Sequence, residues 1–377
     1  MSEVYPLISV LVLCYNNQKY LYESLESIFS QSYPNLELLI NDDGSLDFDG
    51  NALDAWVSKN KTSNITSVFI NHSQTNCGTT AAVHYLQTIA NGIWLFNIAA
   101  DDVLYDQNVI MSMYNTAVHR CDNAQVIMAQ TLMYDNTLSK VIQPFMSKQD
   151  IEFLKTASME QLLSRTAESA WLPASYLYNR NILCYIDDIC KDYKLVEDIP
   201  AHLRLIGNGI RPYFCDITSS IKHRDGGVSH SSSEHPTSTQ LLYKQDLVRI
   251  FEKDIISYKD LISNESMDKA AWVYMHTSRD NFISHLCYAS PSIAKRATST
   301  SFSVSPLYIL SRKKLVISYF VIALILLFIG LLSTGFGLFN FATFIKYLPF
   351  TLALLAIIVC ICSILINIYY RIKYRNR

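Results

Sequence analysis

The chain sets two carboxylates side by side at Asp42-Asp43, at Asp101-Asp102 and at Glu197-Asp198, among other places. Taken singly, such pairs shape turns or cap helices, because Asp oxygens accept hydrogen bonds from nearby backbone amides. The first two pairs differ in that each follows directly on an apolar, strand-like run. Both then reach one edge if those strands are parallel neighbours. Like charges gathered there repel, and they stay ionised most readily with a cation among them. Carboxylates suit Mg²⁺ or Mn²⁺, ions that take one or two carboxylates and fill the rest of their shell with water and phosphate oxygens. Glycine loops for phosphate are missing. The turn after the first strand-like run reads Cys14-Tyr15-Asn16-Asn17-Gln18, without GxGxxG, and no GxxxxGK motif occurs in the chain. A phosphate at this edge therefore has to be held by metal or by basic side chains, which is the chemistry of a metal–diphosphate site. Glu197-Asp198 opens a segment of helical spacing, where two acids either favour the helix dipole or serve as proton acceptors.

The elements that carry these pairs alternate strand and helix. Residues 7–13 (LISVLVL) have the pattern of a parallel strand buried on both faces. A helix follows with Leu21, Leu25, Ile28 and Phe29 on one face. Residues 36–40, 67–70 and 93–98 read as three more strands, with a helix over about 79–90 before the last. Repeated strand–helix–strand units imply right-handed crossovers and an α/β fold, a mostly parallel sheet with helices on both faces. Ligands of such sheets lie in the crevice beyond the carboxyl ends of the strands. Both acidic pairs fall there.

Further along the pattern is mixed. Residues 125–134 read as one strand, 158–165 as a short helix, 182–191 as irregular, and 196–205 as a helix with Leu203 and Leu205 inward. Residues 226–240, rich in Gly, Ser and Thr, read as a mobile loop or linker. Beyond it, Leu247, Ile250, Phe251, Ile255 and Tyr258 line one face of an amphipathic helix, packed on the sheet domain or lying on a membrane surface.

At 377 residues, 50% hydrophobic and 17% charged, the chain is not a disordered one, and a net charge of −2 gives no bulk attraction for nucleic acid. Nine cysteines without a CxxC pair, and no leader before the first strand-like run, lead us to expect reduced thiols in a cytosolic compartment. The apolar surplus is concentrated at residues 315–333 and 348–370, each long enough to cross a bilayer as a helix. Arg312, Lys313 and Lys314 precede the first run, and Arg371, Lys373, Arg375 and Arg377 follow the second. By the positive-inside rule this hairpin is expected to sit in the inner (cytoplasmic) membrane, with the α/β domain and both termini facing the cytoplasm. Neither run contains an ionisable residue, which fits an anchor and leaves no substrate path for a transporter. Three regions are thus expected: residues 1–230 as the α/β domain, 231–311 as linker and amphipathic helix, and 312–377 as the transmembrane hairpin.

Three segments at this spacing resemble the family 2, GT-A type, inverting glycosyltransferases of bacterial polysaccharide biosynthesis. They are PLISVLVLCYNN (6–17), ELLINDDGSLD (37–47) and IANGIWLFNIAADD (89–102). The likeness is dense over about the first 105 residues, looser to about 230, and ends there. It implies a GT-A, Rossmann-like fold and the transfer of one sugar from a nucleotide-diphosphate donor, of UDP or dTDP type, to an acceptor hydroxyl. That acceptor is expected to be a lipid-linked glycan at the membrane, as in O-antigen or capsule synthesis.

The resemblance also implies roles. Tyr15 flanks the base, Asp42 and Asp43 belong to the nucleotide contact, and Asp43 accepts the N–H of the ring. Asp101 and Asp102 occupy the D-x-D position, Asp101 touching the nucleotide sugar and both ligating Mg²⁺ or Mn²⁺. Glu197 and Asp198 form the E-D motif with Asp198 as general base. Lys222 and Arg224 belong to a stretch, KHRDGGVS (222–229), that closes over the donor phosphates. The chain departs from the family in having Ala99 or Ala100 at the first acidic slot, Val83-His84 where relatives carry Arg-Asn, and no QxxRW, which favours single-sugar transfer over processive synthesis. His223, His230 and His235 are spaced by seven and five, matching no common ligand motif, and His223 is nearest the phosphate stretch. Two other readings remain: a nucleotide-sugar-binding or scaffold protein of this fold without turnover, and a metal-dependent nucleotidyl- or phosphotransferase, which would be expected to carry a glycine-rich, lysine-containing phosphate loop.

Overall fold

The computed structural model describes residues 4–119, 124–225 and 237–275. The first apolar run forms β1 (Ile8–Cys14), buried at six of its seven positions. Helix α1 (Gln18–Phe29) lays Leu21, Leu25, Ile28 and Phe29 against the sheet, as their spacing requires. Then come β2 (Leu36–Asp42), buried throughout, α2 (Gly50–Asn60), β3 (Ile65–His72), α3 (Thr79–Ile89) and β4 (Trp94–Ala99). Strand β1 pairs in parallel with β2 on one side and with β4 on the other. The register sets Leu13 opposite both Asn41 and Ala99, so the three strands end at one level. That level is what brings the turns carrying Tyr15, Asp43 and Asp101 together.

A short β5 (Val103–Leu104) and α4 (Val109–His119) lead to the first departure from the sequence pattern. Residues 125–134 are two strands, β6 (Val126–Met128) and β7 (Thr131–Tyr134), belonging to different sheets. The chain changes sheet at Ala129-Gln130. There the Gln130 amide donates to the Met146 carbonyl and accepts from the Thr131 and Met146 N–H groups, while the Gln130 carbonyl accepts from Ser219 and Ser220. Period-two hydrophobicity continues through such a corner, so the pattern cannot register it.

After β8 (Val141–Pro144) come α5 (Lys148–Thr156) and α6 (Met159–Glu168), each opened by a serine capping box, at Ser147 and Ser158. Strand β9 (Tyr176–Asn179) was not legible in the sequence. It inserts antiparallel between β4 and β6. The irregular stretch resolves into a 3₁₀ turn (Arg180–Tyr185) and α7 (Ile189–Asp192), followed by α8 (Asp198–Gly207), β10 (Pro212–Phe214) and β11 (Ile221–Arg224). The larger sheet has the order β10-β6-β9-β4-β1-β2-β3, parallel except at β9, and the smaller one the order β5-β11-β7-β8.

Helix α9 (Ser238–Ile250) continues through a π-helical turn, Phe251–Ile255, and α10 (Asn264–Met275) ends the described chain. Leu247, Ile250, Phe251 and Ile255 are buried, so the amphipathic face packs within the sheet domain. The first compact unit accordingly runs Met1–Ser266 and takes in α9, beyond the expected boundary at 230. Among the described residues no helix is long and apolar enough to cross a membrane. Both apolar runs, 315–333 and 348–370, lie outside the described residues.

At the opposite end of β1 and β2 a buried carboxylate ties three segments. Glu37 accepts from Ser9 Oγ at 2.6 Å, from the Asn91 N–H at 2.8 Å and from Asn91 Nδ2 at 2.7 Å. Burial raises its pKa, but these hydrogen bonds to the charged form leave it below the usual glutamate value. Glu37→Ala strands those donors and is expected to cost about 2–3 kcal/mol in a urea titration at neutral pH. A depressed carboxylate contributes above its ordinary range and loses that contribution as pH falls through the folded value, so the gap to wild type should close in acid.

Candidate functional site

The turn after β2 separates its two acids. Asp42, 0% exposed, accepts from the Gly44 and Ser45 N–H groups, from Ser45 Oγ and from His72 Nδ1. It builds the turn and presents nothing to a nucleotide, which corrects the expected contact. Ser45 Oγ also accepts the Asn16 N–H at 2.7 Å and so joins this turn to the one after β1. Asp43 takes the Cys77 N–H on one oxygen at 2.9 Å and the Gly78 N–H on the other at 2.8 Å. Each oxygen keeps a lone pair for a ligand donor. Burial raises the Asp43 pKa against the pull of those two amides. Gly78 has φ +94°, and a Cβ there would stand 2.4 Å from the Lys194 carbonyl oxygen, so glycine is required both by conformation and by space.

Tyr15 stands between the acidic turns and is 48% exposed, an aromatic face open to a stacked ring. Cys14 beneath it is no nucleophile. Burial, and then the charge of Asp42, push its thiol far above the usual range.

The turn after β4 holds Asp101 and Asp102. Burial, then the neighbouring Asp102 charge, raises the Asp101 pKa. Asp102 Oδ1 meets His223 Nδ1 at 2.8 Å. Burial lowers the His223 pKa, but the hydrogen bond and charge of Asp102 outweigh it and leave the ring raised. Arg224 corrects another expectation. It is 6% exposed, and its guanidinium is spent on the Asp101 and Asn136 carbonyls and on Glu23, above the Tyr20 ring. It fixes the backbone of the acidic turn and does not reach a phosphate. Lys222 stays available: half-buried, it makes no ion pair among the described residues, and its ammonium lies 5.7 and 6.0 Å from the Tyr105 and Tyr134 ring centres. The rest of the phosphate stretch, with His230 and His235, lies outside the described residues.

Among the described residues no three His, Cys, Asp or Glu side chains gather closely enough to hold a metal by themselves. The donor set present is the Asp101 carboxylate and the Asp102 oxygen not engaged by His223, with the His223 and Arg224 charges opposing the rise in the Asp101 pKa. Two carboxylates fit Mg²⁺ or Mn²⁺ when phosphate oxygens complete the shell.

Glu197 caps α8 and Asp198 is its first residue. Both are half-buried. Asp198 Oδ1 accepts the Ile199 N–H at 2.8 Å, and the Glu197 side chain makes no capping hydrogen bond to α8. Burial raises both pKa values, and the Asp198 charge raises Glu197 further. Three tyrosines feel the Glu197 charge: Tyr176 and Tyr178 from β9 and Tyr243 from α9. Tyr178 donates to Asn97 Oδ1 on β4 at 2.8 Å and accepts from Gln87 at 3.0 Å, which ties this wall to the strand leading into Asp101. One turn into α8, the His202 ring packs at a tilt against Tyr176, centroids 5.1 Å apart, with its pKa pushed down to about 3 by burial. The Glu197–Asp198 pair, an exposed tyrosine face and two acidic turns thus border the carboxyl edge of the sheet. An open cavity of about 530 Å³ at the other end of α8 is a different feature, threaded by ion pairs of Arg204 with Asp188, Asp192 and Asp254.

The family model described as glycosyl transferase family 2 matches residues 9–168. Glycosyltransferase GlyG of Streptococcus pneumoniae is 31% identical over 137 residues, which are 36% of this chain and 42% of that protein. A UDP-Glc:alpha-D-GlcNAc-diphosphoundecaprenol beta-1,3-glucosyltransferase, WfaP of Escherichia coli, is 32% identical over 98 residues, 26% of this chain and 36% of that one. The chain therefore spans less than half the length of these curated relatives. Among solved structures, TarS 1-349 of S. aureus in complex with UDP-GlcNAc overlaps 74% of this chain and 75% of that chain, at 19% identity and a TM-score of 0.49.

The raised carboxylate pair carries a stability cost. A folded state that binds protons more tightly than the unfolded chain loses stability as pH rises from the ordinary carboxylate range through the raised values. Glu197→Gln removes one of the two buried charges. Its melting temperature should exceed wild type at about pH 8 and converge on it near pH 4, where the unfolded carboxylate is itself protonated.

Proposed function

Residues 9–168 form a glycosyltransferase family 2 domain, and on that premise we propose that the chain moves one sugar from a nucleotide-diphosphate donor to an acceptor hydroxyl, with inversion at the anomeric carbon. The observation that carries this reading is the half-buried Glu197–Asp198 pair. It is held at the start of α8, walled by tyrosines, and linked through Tyr178 and Asn97 to the strand that leads into the Asp101 turn.

The donor base stacks on Tyr15, and its ring N–H donates to a free lone pair of Asp43. Lys222 faces the diphosphate. Asp101 and Asp102 would hold Mg²⁺ or Mn²⁺. The bound ion supplies Lewis-acid neutralisation of the charge that develops on the leaving diphosphate. As the acceptor oxygen bonds to the anomeric carbon and the bond to the diphosphate oxygen breaks, the hydroxyl proton passes to Asp198. General-base catalysis of this kind contributes about 10²–10⁴-fold. Burial and the Asp198 charge push the Glu197 pKa up to about 8, so near neutral pH Glu197 holds its proton and Asp198 is the ionised member of the pair. His202, neutral throughout the working range, adds no competing proton donor.

UDP or dTDP sugars are the proposed donors, and a lipid-linked glycan is the proposed acceptor. The two apolar runs with basic flanks would place the enzyme at the cytoplasmic membrane, where anchoring raises the effective concentration of such an acceptor.

Asp198→Asn should lower kcat by about 10²–10⁴-fold while the donor nucleotide Kd stays within about twofold, measured by calorimetry beside a transfer assay. Because the Asp198 pKa is raised and the base must be ionised, wild-type kcat should fall on the acid side at a pH above the ordinary Asp value of about 3.9. Membranes incubated with radiolabelled UDP and dTDP sugars should yield label in the lipid extract. Label confined to the aqueous phase argues against the lipid-linked acceptor.

A further inference from the structure

The segment that delivers Glu197 and Asp198 is gripped from two sides. On one side, the Tyr193 carbonyl accepts from Thr80 Oγ1 at 2.5 Å and the Lys194 carbonyl from the Thr80 N–H at 3.2 Å, at the start of α3. That start is the loop whose Cys77 and Gly78 amides are held by Asp43. On the other side stands Asp246 of α9, 1% exposed. A single oxygen of its carboxylate accepts three consecutive amides, Lys194 at 2.9 Å, Leu195 at 2.6 Å and Val196 at 3.2 Å. The next two residues are the acidic pair.

Helix α9 has anchors of its own. Arg249 donates to the Asp192 carbonyl at 3.0 Å, and in the π turn Asp254 takes Arg204 Nε at 2.6 Å and the Tyr193 hydroxyl. Tyr243 on the same helix comes near enough to Asp198 and Glu197 to feel both charges. Helix α9 lies wholly beyond residues 9–168, the span shared with the family.

We propose that Asp246 is a positioning residue for sugar transfer: its buried carboxylate holds the amides of Lys194, Leu195 and Val196 and thereby aims the Glu197–Asp198 pair, which makes α9 a working wall of the site. The proposal rests on Asp198 being the base. Three convergent amides leave the segment no freedom to rotate, and a reacting group displaced by about 1 Å can lose about 10²-fold in rate. Asp246 touches neither donor nor acceptor, so its effect falls on kcat and leaves donor binding alone.

The test compares Asp246→Ala, Asp246→Asn and Asp246→Glu with wild type and Asp198→Asn in the full chain. Donor KM and kcat are read with whichever UDP or dTDP sugar the wild type transfers. Calorimetry with UDP and dTDP and the melting temperature are read in parallel, with assays run at least about 10 °C below the lowest melting point. Asp246→Ala should lose about 10²-fold in kcat, with donor KM and nucleotide Kd within about twofold. Asp246→Asn still offers one oxygen to the three amides and should recover most of that loss. Asp246→Glu keeps the charge but shifts it by a methylene, so it should lose kcat as well, and it decides the matter if the alanine variant does not fold. Retention of kcat within about threefold in both the alanine and glutamate variants overturns the positioning role, as does a parallel loss of kcat and donor affinity. Full activity in Asp198→Asn overturns the base assignment instead, a separate outcome.

Discussion

Parallel strands that stop at one level leave a row of turns whose amides have no partner in the sheet, and a buried amide without a partner is costly. In this chain carboxylates meet those amides. Asp43 holding Cys77 and Gly78 is the contact on which the others depend, because it fixes the start of α3 against the end of β2. Asp42 closes its own turn in the same way, and Asp246 does so for residues 194–196 across a sequence distance of fifty residues. Each contact is a charge-assisted hydrogen bond, stronger than a neutral pair and directional enough to set a loop. Loops placed this way can carry reactive groups without being made of regular structure.

The same device explains why adjacent acids do different work. Asp42 and Asp43 are neighbours in sequence, yet one is consumed by four donors and the other keeps capacity for a ligand. Glu197 and Asp198 stand at the opposite extreme, half-buried with almost no hydrogen bonds and with their protons held more tightly than usual. A site that satisfied this second pair as fully as the first would be more stable and a poorer base. Placing an unsatisfied pair at a helix start softens its cost, since the helix dipole favours negative charge there.

The parallel β1–β2–β4 core and the acidic turns at its edge were legible because buried strands read as unbroken apolar runs and the paired acids follow them directly. The mixed half was not. Residues 125–134 keep strand periodicity while switching sheets, and only the side-chain bonds of Gln130 mark the corner. Tyr176 and Tyr178 sit in a four-residue strand too short to show a period, so the tyrosine wall around Glu197 and Asp198 left no local signal. Arg224 and Lys222 looked equivalent as basic residues two apart, but Glu23 and two carbonyls claim the guanidinium and leave the ammonium free. His223 carried a weak sign in its position beside the phosphate stretch. Asp246 carried none, since its partners are backbone amides and any sequence supplies those.

The chain thereby divides its labour along its length. Tyr15, Asp43, Asp101 and Asp102 all lie within residues 9–168, the part matched by the family model, and all border the edge proposed for the donor. Glu197, Asp198, Lys222, Tyr243 and Asp246 follow that span. A nucleotide diphosphate presents the same chemistry to any enzyme that uses it, so one constellation of acids and an aromatic face serves repeatedly. Acceptors differ in shape and reach, and the base must be aimed at a hydroxyl whose position varies with them. In the proposed reading that aim is set by backbone amides held by a helix outside the span matched by the family model. The Thr80 contacts to Tyr193 and Lys194 are one physical join between the halves, since they link the Asp43 turn to the segment proposed to carry the base.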